Sequence, residues 1–392
     1  MHCIKQLWRC ASVRRFAKTF HLRCLCSSSA PHAANRVVLI STSDSIYENL
    51  ALEEWMYEKT DFSETDYLLM WKNKPAVVFG RHQNPWLEVN IPLATADGVD
   101  LARRSSGGGT VYHDEGNLNL SFLKARHRYN RKENLHLVID AVRSRWDLDL
   151  TVNDRDDILL DHFYKVSGTA AKLGRVQSFH HFTLLFGVDA SQLGRLLGCP
   201  MQGIESKATK SVPSSVQNLK DRAPDMTFEL LVNVIGQRFL QQVDQQLSHQ
   251  NFRFIDPVNE VEFPGVKDIL NRLKSWDWIY GKTPKFSLHR TFSGHKFQDD
   301  FCTLTITINI EKGHVASVSL HLNNEKLSEL VAAVNTFYTV NIQDLMLKDQ
   351  SLSHLKEKCL KHFESLLSSE NTEVLSFAQW VIKCVDLCLT FG

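Results

Sequence analysis

The sequence predicts a mixed α/β protein built as two domains. Three observations lead there. Short apolar, strand-like runs alternate with helical stretches as far as residue 247, and the pattern restarts after about residue 250. Once a basic N-terminal segment is set aside, roughly 360 residues remain, which suits two domains at ~100–200 residues each.

The N-terminal segment is read first because it is excluded from the fold. Residues 1 to 43 carry Lys5, Arg9, Arg14, Arg15, Lys18, Arg23 and Arg36, with no acidic residue before Asp44. Ser27, Ser28 and Ser29 close the basic part, and apolar residues are scattered rather than continuous. A secretory signal needs an unbroken apolar run, so it fits poorly. Arg-rich, Ser-containing and acid-free is the composition of a mitochondrial transit peptide. Residues 1–35 are expected to be that peptide, which places the mature protein in the mitochondrial matrix; a disordered basic tail is the alternative.

Ile46 to Tyr57 has helical spacing of its apolar residues. Tyr67 to Trp71 and Ala76 to Phe79 read as buried strands split by a turn, and the polar stretch Gly80 to Pro85 is a loop at a strand end. Val111 and Tyr112 run through Asp114-Glu115-Gly116-Asn117 into an alternating Leu118, Leu120, Phe122 pattern, so a hairpin is expected. Leu135 to Trp146 is an expected helix, and Phe163 to Gly168 and Phe182 to Phe186 are expected strands. Residues 205 to 225 are polar and read as loop, and Phe228 to Leu247 as helix. After the boundary, Thr303 to Ile310 alternates strictly, Lys312-Gly313 turns, and Val318 to Leu322 returns. Helices are expected near 325–338, 351–367 and 373–390. The domain limits expected are 40–250 and 251–392, the second a small α+β unit.

Composition excludes several classes. Lys and Arg total 45 against 44 Asp and Glu, interspersed, which argues against a general nucleic-acid binder. No run of ~18 apolar residues exists, so no membrane span is expected. Of nine cysteines, Cys199, Cys302, Cys359, Cys384 and Cys388 lie beyond the transit segment and form no CxxC. That is neither a disulfide framework nor a zinc pattern.

The densest chemical signal is Arg103-Arg104-Ser105-Ser106-Gly107-Gly108-Gly109-Thr110-Val111-Tyr112-His113-Asp114. Adjacent glycines cost backbone entropy and are kept where bare backbone approaches a partner closely. Two arginines beside them suit a backbone cradle for a phosphate. No Lys-Ser/Thr pair follows, and the spacing is not GxGxxG, so neither standard nucleotide loop applies. Lys165, in an apolar strand-like context before Ser-Gly, is a candidate to hold an acyl carbonyl or phosphoryl oxygen; a strand-edge lysine reaching solvent is the bland reading. Arg155-Asp156-Asp157 read as a polar turn. His180-His181 lack a third metal ligand, so a structural role is preferred. Trp276 and Trp278 read as core or docking aromatics. Cys199 beside Lys165 would make an acyl-carrying thiol; a buried inert cysteine is the commoner case.

These pieces, in this order, resemble the lipoate–protein ligase/lipoyltransferase family. Its RRxSGGGxVxHDxGNxNxSF motif is matched from Arg103 to Phe122. Gly80 to Pro85 looks like its GRxQNP element, Lys165 to Ala170 like KxSG(S/T)A, and Trp276 to Phe286 like WxWxxGxTPxF. The resemblance covers about 45 to 392, and the transit-like start is similar to that of animal mitochondrial members. It implies a class II synthetase-like, biotin-ligase-like catalytic domain with a small α+β C-terminal domain. It also implies lipoyl-AMP as substrate, with no tightly bound cofactor and no metal of its own. Mg and ATP enter only if the chain also activates lipoate. The acyl group would pass to a lysine of the lipoyl domains of 2-oxoacid dehydrogenase complexes. The glycine-cleavage H protein would be a further partner, as donor or acceptor, making the enzyme a lipoyl amidotransferase.

By the same resemblance, the amides of Gly107, Gly108 and Gly109, with Arg104 and Ser106, would face the phosphate. Tyr112 would lie near the adenine, and Arg155 and Asp157 would match the Arg and Asp of an RNDL element, the carboxylate accepting the adenine amino group. Thr183, Thr209, Ser211 and Val212 would line the nucleotide, and Lys165 would bind the reacting carbonyl as the catalytic residue. Two positions depart from the pattern: Asp156 stands where Asn is usual, and Phe182 where bacterial ligases have Gly. Both bear on the fit of ATP and point to a chain that takes preformed lipoyl-AMP. Alternatives are a full ATP-dependent ligase and an octanoyltransferase-like enzyme with a Cys199 thioester. A biotin ligase would need a GRGR-type loop and KxGG, both missing. A scaffold without chemistry would leave the nucleotide-type motif unused.

Overall fold

A computed structural model of the chain describes residues 34–198, 202–241, 252–298, 300–342, 350–366 and 372–389. Nearly all of the expected transit peptide, and Cys199, lie outside the described residues.

The chain opens with β1 (Asn35–Ser41) and α1 (Ile46–Lys59), then β2 (Thr65–Trp71), β3 (Ala76–Phe79), two short helices α2 (Pro85–Glu88) and α3 (Ile91–Ala96), and β4 (Asp100–Arg103). After the glycine loop come β5 (Val111–His113), β6 (Asn117–Ala125), α4 (Arg131–Arg143), β7 (Leu150–Val152), β8 (Ile158–Leu160), β9 (Tyr164–Lys165), β10 (Thr169–Leu173) and β11 (Gln177–Leu185). Then follow α5 (Ala190–Leu196), β12 (Ile204–Ser206), α6 (Phe228–Gln241), β13 (Phe252–Ile255), α7 (Val266–Lys274) and α8 (Trp276–Ile279). The C-terminal part holds β14 (Phe286–Phe297), β15 (Asp300–Glu311), β16 (His314–Leu322), α9 (Ser328–Asn341), α10 (Gln350–Leu366) and α11 (Thr372–Leu389).

The main sheet has six strands in the order β10-β11-β6-β2-β1-β13. One face carries Val38, Ile40, Leu68, Met70, Leu118, Leu120, Phe122, Phe182 and Leu184, covered by α4 and α6. The opposite face is covered by α1 and by a smaller sheet, β4-β3-β5. Because both faces are covered, β6 is buried along its whole length, polar residues included. Asn130 caps α4, accepting from the Glu133 amide at 3.3 Å and donating to the Glu133 carboxylate at 2.7 Å, a reciprocal cap.

The expected hairpin across 111–122 does not form. The turn exists: the Asn117 amide donates to the Asp114 carbonyl at 3.0 Å, and Gly116 to the Asp114 side chain at 2.8 Å. Its two strands diverge, however. β5 pairs with β3 in the small sheet, and β6 pairs with β2 and β11 in the large one. A strand buried on both sides is held better between two neighbours than at an edge, and that tertiary demand overrides the local turn signal. The expected strand at 163–168 shrinks to Tyr164–Lys165, because Asp161 and His162 adopt positive φ just before it.

The expected boundary at residue 250 is crossed in both directions. β13, just beyond it, adds parallel to β1 in the main sheet. β12, well before it, pairs with β14 in the four-stranded C-terminal sheet, β12-β14-β15-β16. Residues 34–392 accordingly cluster as one unit. The 303–322 hairpin and the last three helices form as the alternation and helical spacing predict. β14 is not foreseen, since half its side chains are polar and outward. No helix among the described residues is long and apolar enough to cross a membrane.

Candidate functional site

The glycine loop leaves β4 and returns as β5 across the top of β3. Gly108 has φ +92°, in the region open to glycine, and a Cβ there would stand 2.9 Å from the Arg104 guanidinium. Gly80 touches the loop from below; a Cβ on it would meet the Gly108 carbonyl at 2.3 Å. Arg104 Nη2 donates to the carbonyls of Gly107 at 2.7 Å and Gly109 at 2.6 Å, Nη1 to Val78 at 3.1 Å, and Nε to Ser106 Oγ at 3.1 Å. With the carbonyls turned onto Arg104, the amides of Gly107, Gly108 and Gly109 have no hydrogen-bond partner among the described residues. Three such amides side by side are what an anion cradle would need, and the expectation takes one correction. Arg104 is buried beneath the loop as its internal support rather than free at its rim. Burial lowers its basicity to about 10, so the charge persists at neutral pH.

Arg103 is buried too. Its guanidinium donates to the carbonyls of Gly80, Arg81 and Gln83, to those of Trp278 and Ile279, and to Thr283 Oγ1 at 2.8 Å. Neither guanidinium enters an ion pair among the described residues. Two buried positive charges therefore stand behind the cradle with no carboxylate in direct contact, Glu53 acting on Arg104 only at longer range.

Two cavities, of about 290 and 560 Å³, meet at this loop and share Thr110, Val111, Lys165, Gly168, Thr183, Lys210, Ser211 and Val212. The first runs across the main sheet. Thr183 on β11 pairs with Asn119 on β6, which pairs with Trp71 on β2, so the three side chains lie in one row on one face. Two strand spacings make that row roughly 10 Å long. Leu50, Trp71, Val78, His113, Asn119 and His181 line the end away from the shared residues. The second cavity is broader, with Tyr112, Leu87, Leu185, Leu193, Leu197 and Glu88 in its wall.

Lys165 sits at the junction. Its Nζ is 2.8 Å from Asp157 Oδ1, with the lysine side chain 20% exposed and the aspartate 6%. The strap at 209–212 closes over both cavities. Ser211 Oγ accepts from the Thr110 amide at 2.9 Å and from Gln83 Nε2 at 3.1 Å, and the Ser211 amide donates to Glu88 at 3.2 Å.

The structure gathers most of the sequence-predicted residues. Arg104, Gly108, Gly109, Arg155, Asp157, Lys165, Thr183, Thr209, Ser211 and Val212 line the first cavity, and Tyr112 the second. Ser106 and Gly107 do not line either; they shape the loop, Ser106 Oγ lying 2.8 Å from His181 Nε2. Of the two departures, Asp156 lines neither cavity, whereas Phe182 lines the first. Asp156 has φ +59°, a backbone region that Asn and Asp tolerate better than other side chains, and its carboxylate pairs with Arg131 at 3.0 Å. The Phe182 ring stacks on Phe122 in the core behind the sheet.

Sequence reasoning missed Trp71, His113, Asn119, Glu88 and Glu53. It also assigned His181 a structural role only. His181 faces the cavity, held by Glu53 at 2.9 Å, whereas His180 faces the core side and bonds Asn134 and Thr169. A signal was available: Asn117, Asn119 and Ser121 alternate with leucines on a strand buried on both faces, which marks one face as polar and enclosed. Among the described residues no group of His, Cys, Asp and Glu has a metal-binding arrangement.

A cradle of free amides backed by buried cations, two cavities joined at one lysine, and a sheet that positions them make up the candidate site of an acyl-transferring enzyme. The family model described as the lipoyl protein ligase A/B catalytic domain matches residues 45–240. The chain is 41% identical over 300 residues to the mitochondrial lipoyl amidotransferase of Homo sapiens, covering 74% of this chain and 79% of that one. It is 31% identical over 295 residues to the lipoate-protein ligase A of Bdellovibrio bacteriovorus, covering 72% and 82%. Among solved structures, P. falciparum LipL1 in complex with lipoate superposes with TM-score 0.53 at 24% identity, covering 88% of this chain and 99% of that one. Lipoate-protein ligase A bound with ATP gives 0.52 at 22% identity, covering 63% and 98%. The chain belongs to the lipoate–protein ligase/lipoyltransferase family, with its class II synthetase-type catalytic fold and α+β C-terminal part.

Proposed function

We propose that the chain transfers the lipoyl group of lipoyl-AMP to the acceptor lysine of lipoyl domains of 2-oxoacid dehydrogenase complexes, in the mitochondrial matrix. The lipoylated H protein is a second donor, which makes the activity an amidotransfer. The observation that carries this reading is the joining of two unlike cavities at Lys165. A mixed anhydride has two unlike halves, and its reacting carbonyl lies between them.

In this reading the acyl chain occupies the row from Thr183 to Trp71, whose length suits a medium chain. The phosphate rests on the amides of Gly107 to Gly109, with Arg103 and Arg104 supplying fixed charge from behind. The adenosine fills the broader cavity beside Tyr112. Lys165 leaves Asp157 to donate to the acyl carbonyl and stabilise the oxyanion as the acceptor lysine attacks, a role typically worth roughly 10²–10³ in rate. Asp157 lines the first cavity and not the one given to the adenosine, so in this reading it is the partner of Lys165 rather than the acceptor for the adenine amino group. The acceptor lysine, with a free pKa of about 10.4, loses its proton in the transfer and AMP leaves as an anion.

Nothing tightly bound is needed for this step. Mg and ATP enter only if the chain also makes its own adenylate; of the two residues that argued against ATP, Asp156 lines neither cavity and Phe182 lines the first. Mass spectrometry of an apo-lipoyl domain after incubation with lipoate plus ATP, with lipoyl-AMP, and with lipoylated H protein, each alone, tests the proposal. Transfer from the last two with little from the first is the expected result. Robust lipoylation from lipoate and ATP makes the chain a full ligase, and no transfer from any donor overturns the reading.

A further inference from the structure

The broader cavity holds a carboxylate that an adenosine does not explain. Glu88, at the end of α2, is 9% exposed and lines that cavity. Among the described residues it is the one acid in the wall. One of its oxygens accepts from the Ser211 amide at 3.2 Å. The other lies 3.5 Å from Thr110 Oγ1, whose single proton goes to the nearer Gln83 Oε1 at 2.9 Å. No cation pairs with Glu88 among the described residues; Lys210 shares the lining without forming an ion pair to it. A buried carboxylate with an open oxygen and no counter-ion is destabilising unless a ligand brings the positive charge. An adenine amino group is neutral, and an uncharged acceptor would serve it as well.

Much of the remaining wall is aliphatic. Leu87 precedes Glu88 in the chain, Leu185 comes from β11, and Leu193 and Leu197 come from α5 and the residue after it. Backbone contacts bring that last segment alongside: Val89 bridges to Leu197, and the Gly198 amide donates to the Glu88 carbonyl at 3.1 Å. Methylenes against leucines and a terminal cation against a carboxylate are what lodge a lysine side chain.

We propose that this cavity takes the leaving half of whichever donor is bound, and that Glu88 receives the lysine amine released when the donor is a lipoylated protein. This rests on the amidotransfer reading above and deepens it. With the acyl group in the first cavity and its carbonyl at Lys165, the donor lysine occupies the space that adenosine fills in lipoyl-AMP. The acceptor lysine arrives as an ammonium and loses one proton. Its nitrogen attacks the amide carbonyl, a new C–N bond forms, and Lys165 holds the oxyanion. A second proton leaves the attacking nitrogen as the old C–N bond breaks. The departing nitrogen takes up both protons and leaves as an ammonium beside Glu88. One ammonium enters and one leaves, so protons and charge balance. With lipoyl-AMP the same cavity releases an anion, so Glu88 acts on the two donors in opposite directions, and the donors exclude each other.

The test compares donors on one variant. Glu88→Gln keeps an oxygen for the Ser211 amide and removes the charge. The kcat/KM of transfer to an apo-lipoyl domain is measured with lipoyl-AMP and with lipoylated H protein. The variant is expected to lose about 10²-fold with the H protein, mainly in kcat. It is expected to gain about twofold with lipoyl-AMP, whose anionic leaving group no longer faces a carboxylate. A fall of equal size with both donors overturns the proposal and makes Glu88 a group of the acceptor or of the fold. A fall with lipoyl-AMP alone overturns it in favour of the adenine amino group, and no change with either donor overturns it outright. A second measurement needs no variant. AMP, at concentrations that inhibit transfer from lipoyl-AMP, is expected to compete with lipoylated H protein; non-competitive inhibition, or none, overturns the shared cavity. If the unaltered chain uses lipoyl-AMP but takes nothing from the H protein, the amidotransfer reading falls and this proposal with it, while lipoyl-AMP transfer stands.

Discussion

Arg103 and Trp278 bond each other's backbone: Trp278 Nε1 donates to the Arg103 carbonyl at 2.7 Å, and Arg103 Nε donates to the Trp278 carbonyl at 3.1 Å. The same guanidinium holds Gly80, Arg81 and Gln83, and Gly80 abuts Gly108. A segment 175 residues away in sequence thus supports the floor of the glycine cradle. Arg103→Lys keeps the charge and loses the planar fork. It is expected to lower stability by roughly 2–4 kcal/mol, because several buried carbonyls lose their donor. Chemical denaturation measures the loss, and Thr283→Val, removing one contact, should cost less than half as much.

The Lys165–Asp157 pair makes a double-variant prediction. Lys165→Ala leaves a buried carboxylate alone and should cost about 1–3 kcal/mol of stability as well as roughly 10²–10³ in transfer rate. Adding Asp157→Asn should return most of the stability and none of the rate. Recovery of transfer in the double variant would show that Lys165 serves the fold rather than the reaction.

Glycine geometry gives a matched set. Gly108→Ala and Gly80→Ala should each abolish high-affinity donor binding, the first through a +92° φ and the second through a 2.3 Å approach to the Gly108 carbonyl. Gly98→Ala also sits at positive φ, but with nothing within 4 Å. It should cost about 1 kcal/mol and leave donor affinity unchanged. Calorimetric titration with a non-hydrolysable acyl-adenylate analogue reads all three.

Asp156→Asn restores the residue usual at that position in the family. Since the Asp156 carboxylate pairs with Arg131 and lines neither cavity, donor KM should change by less than about twofold, as expected for a partly exposed pair. A large fall in KM would mean that its charge reaches the nucleotide.

Two buried histidines set a pH dependence. Burial lowers His113 to about 3 and holds His180 well below its usual value, while both regain ordinary basicity on unfolding. The unfolded chain therefore binds more protons below about pH 6.5, and stability falls as pH drops through that value toward 3. Each histidine contributes up to about 1.4 kcal/mol per pH unit in that window. Thermal unfolding between pH 7.5 and 5 should show the fall, with a shallower slope in His113→Gln.

Much of the site is legible in the amino-acid order itself. The glycines and Lys165 are marked by residue type and local context, Thr183 and the 209–212 segment only by the family resemblance, and the structure brings them to one junction. Trp71, His113 and Glu53 are not legible in that way, because nothing in β2, β5 or α1 reveals that they meet. Arg103 and Arg104 are legible as cations but not as props, since their partners are carbonyls and carbonyls carry no sequence mark.

The sequence by itself determined the elements, the glycine turn and the family, because backbone preference and hydrophobic period are local properties. Only the tertiary structure decided that β5 and β6 part into different sheets, that the boundary at 250 is crossed by two strands, and that the arginines face inward. Those outcomes depend on covering both faces of β6 and on finding partners for buried polar groups, and such demands are met between segments far apart in the chain.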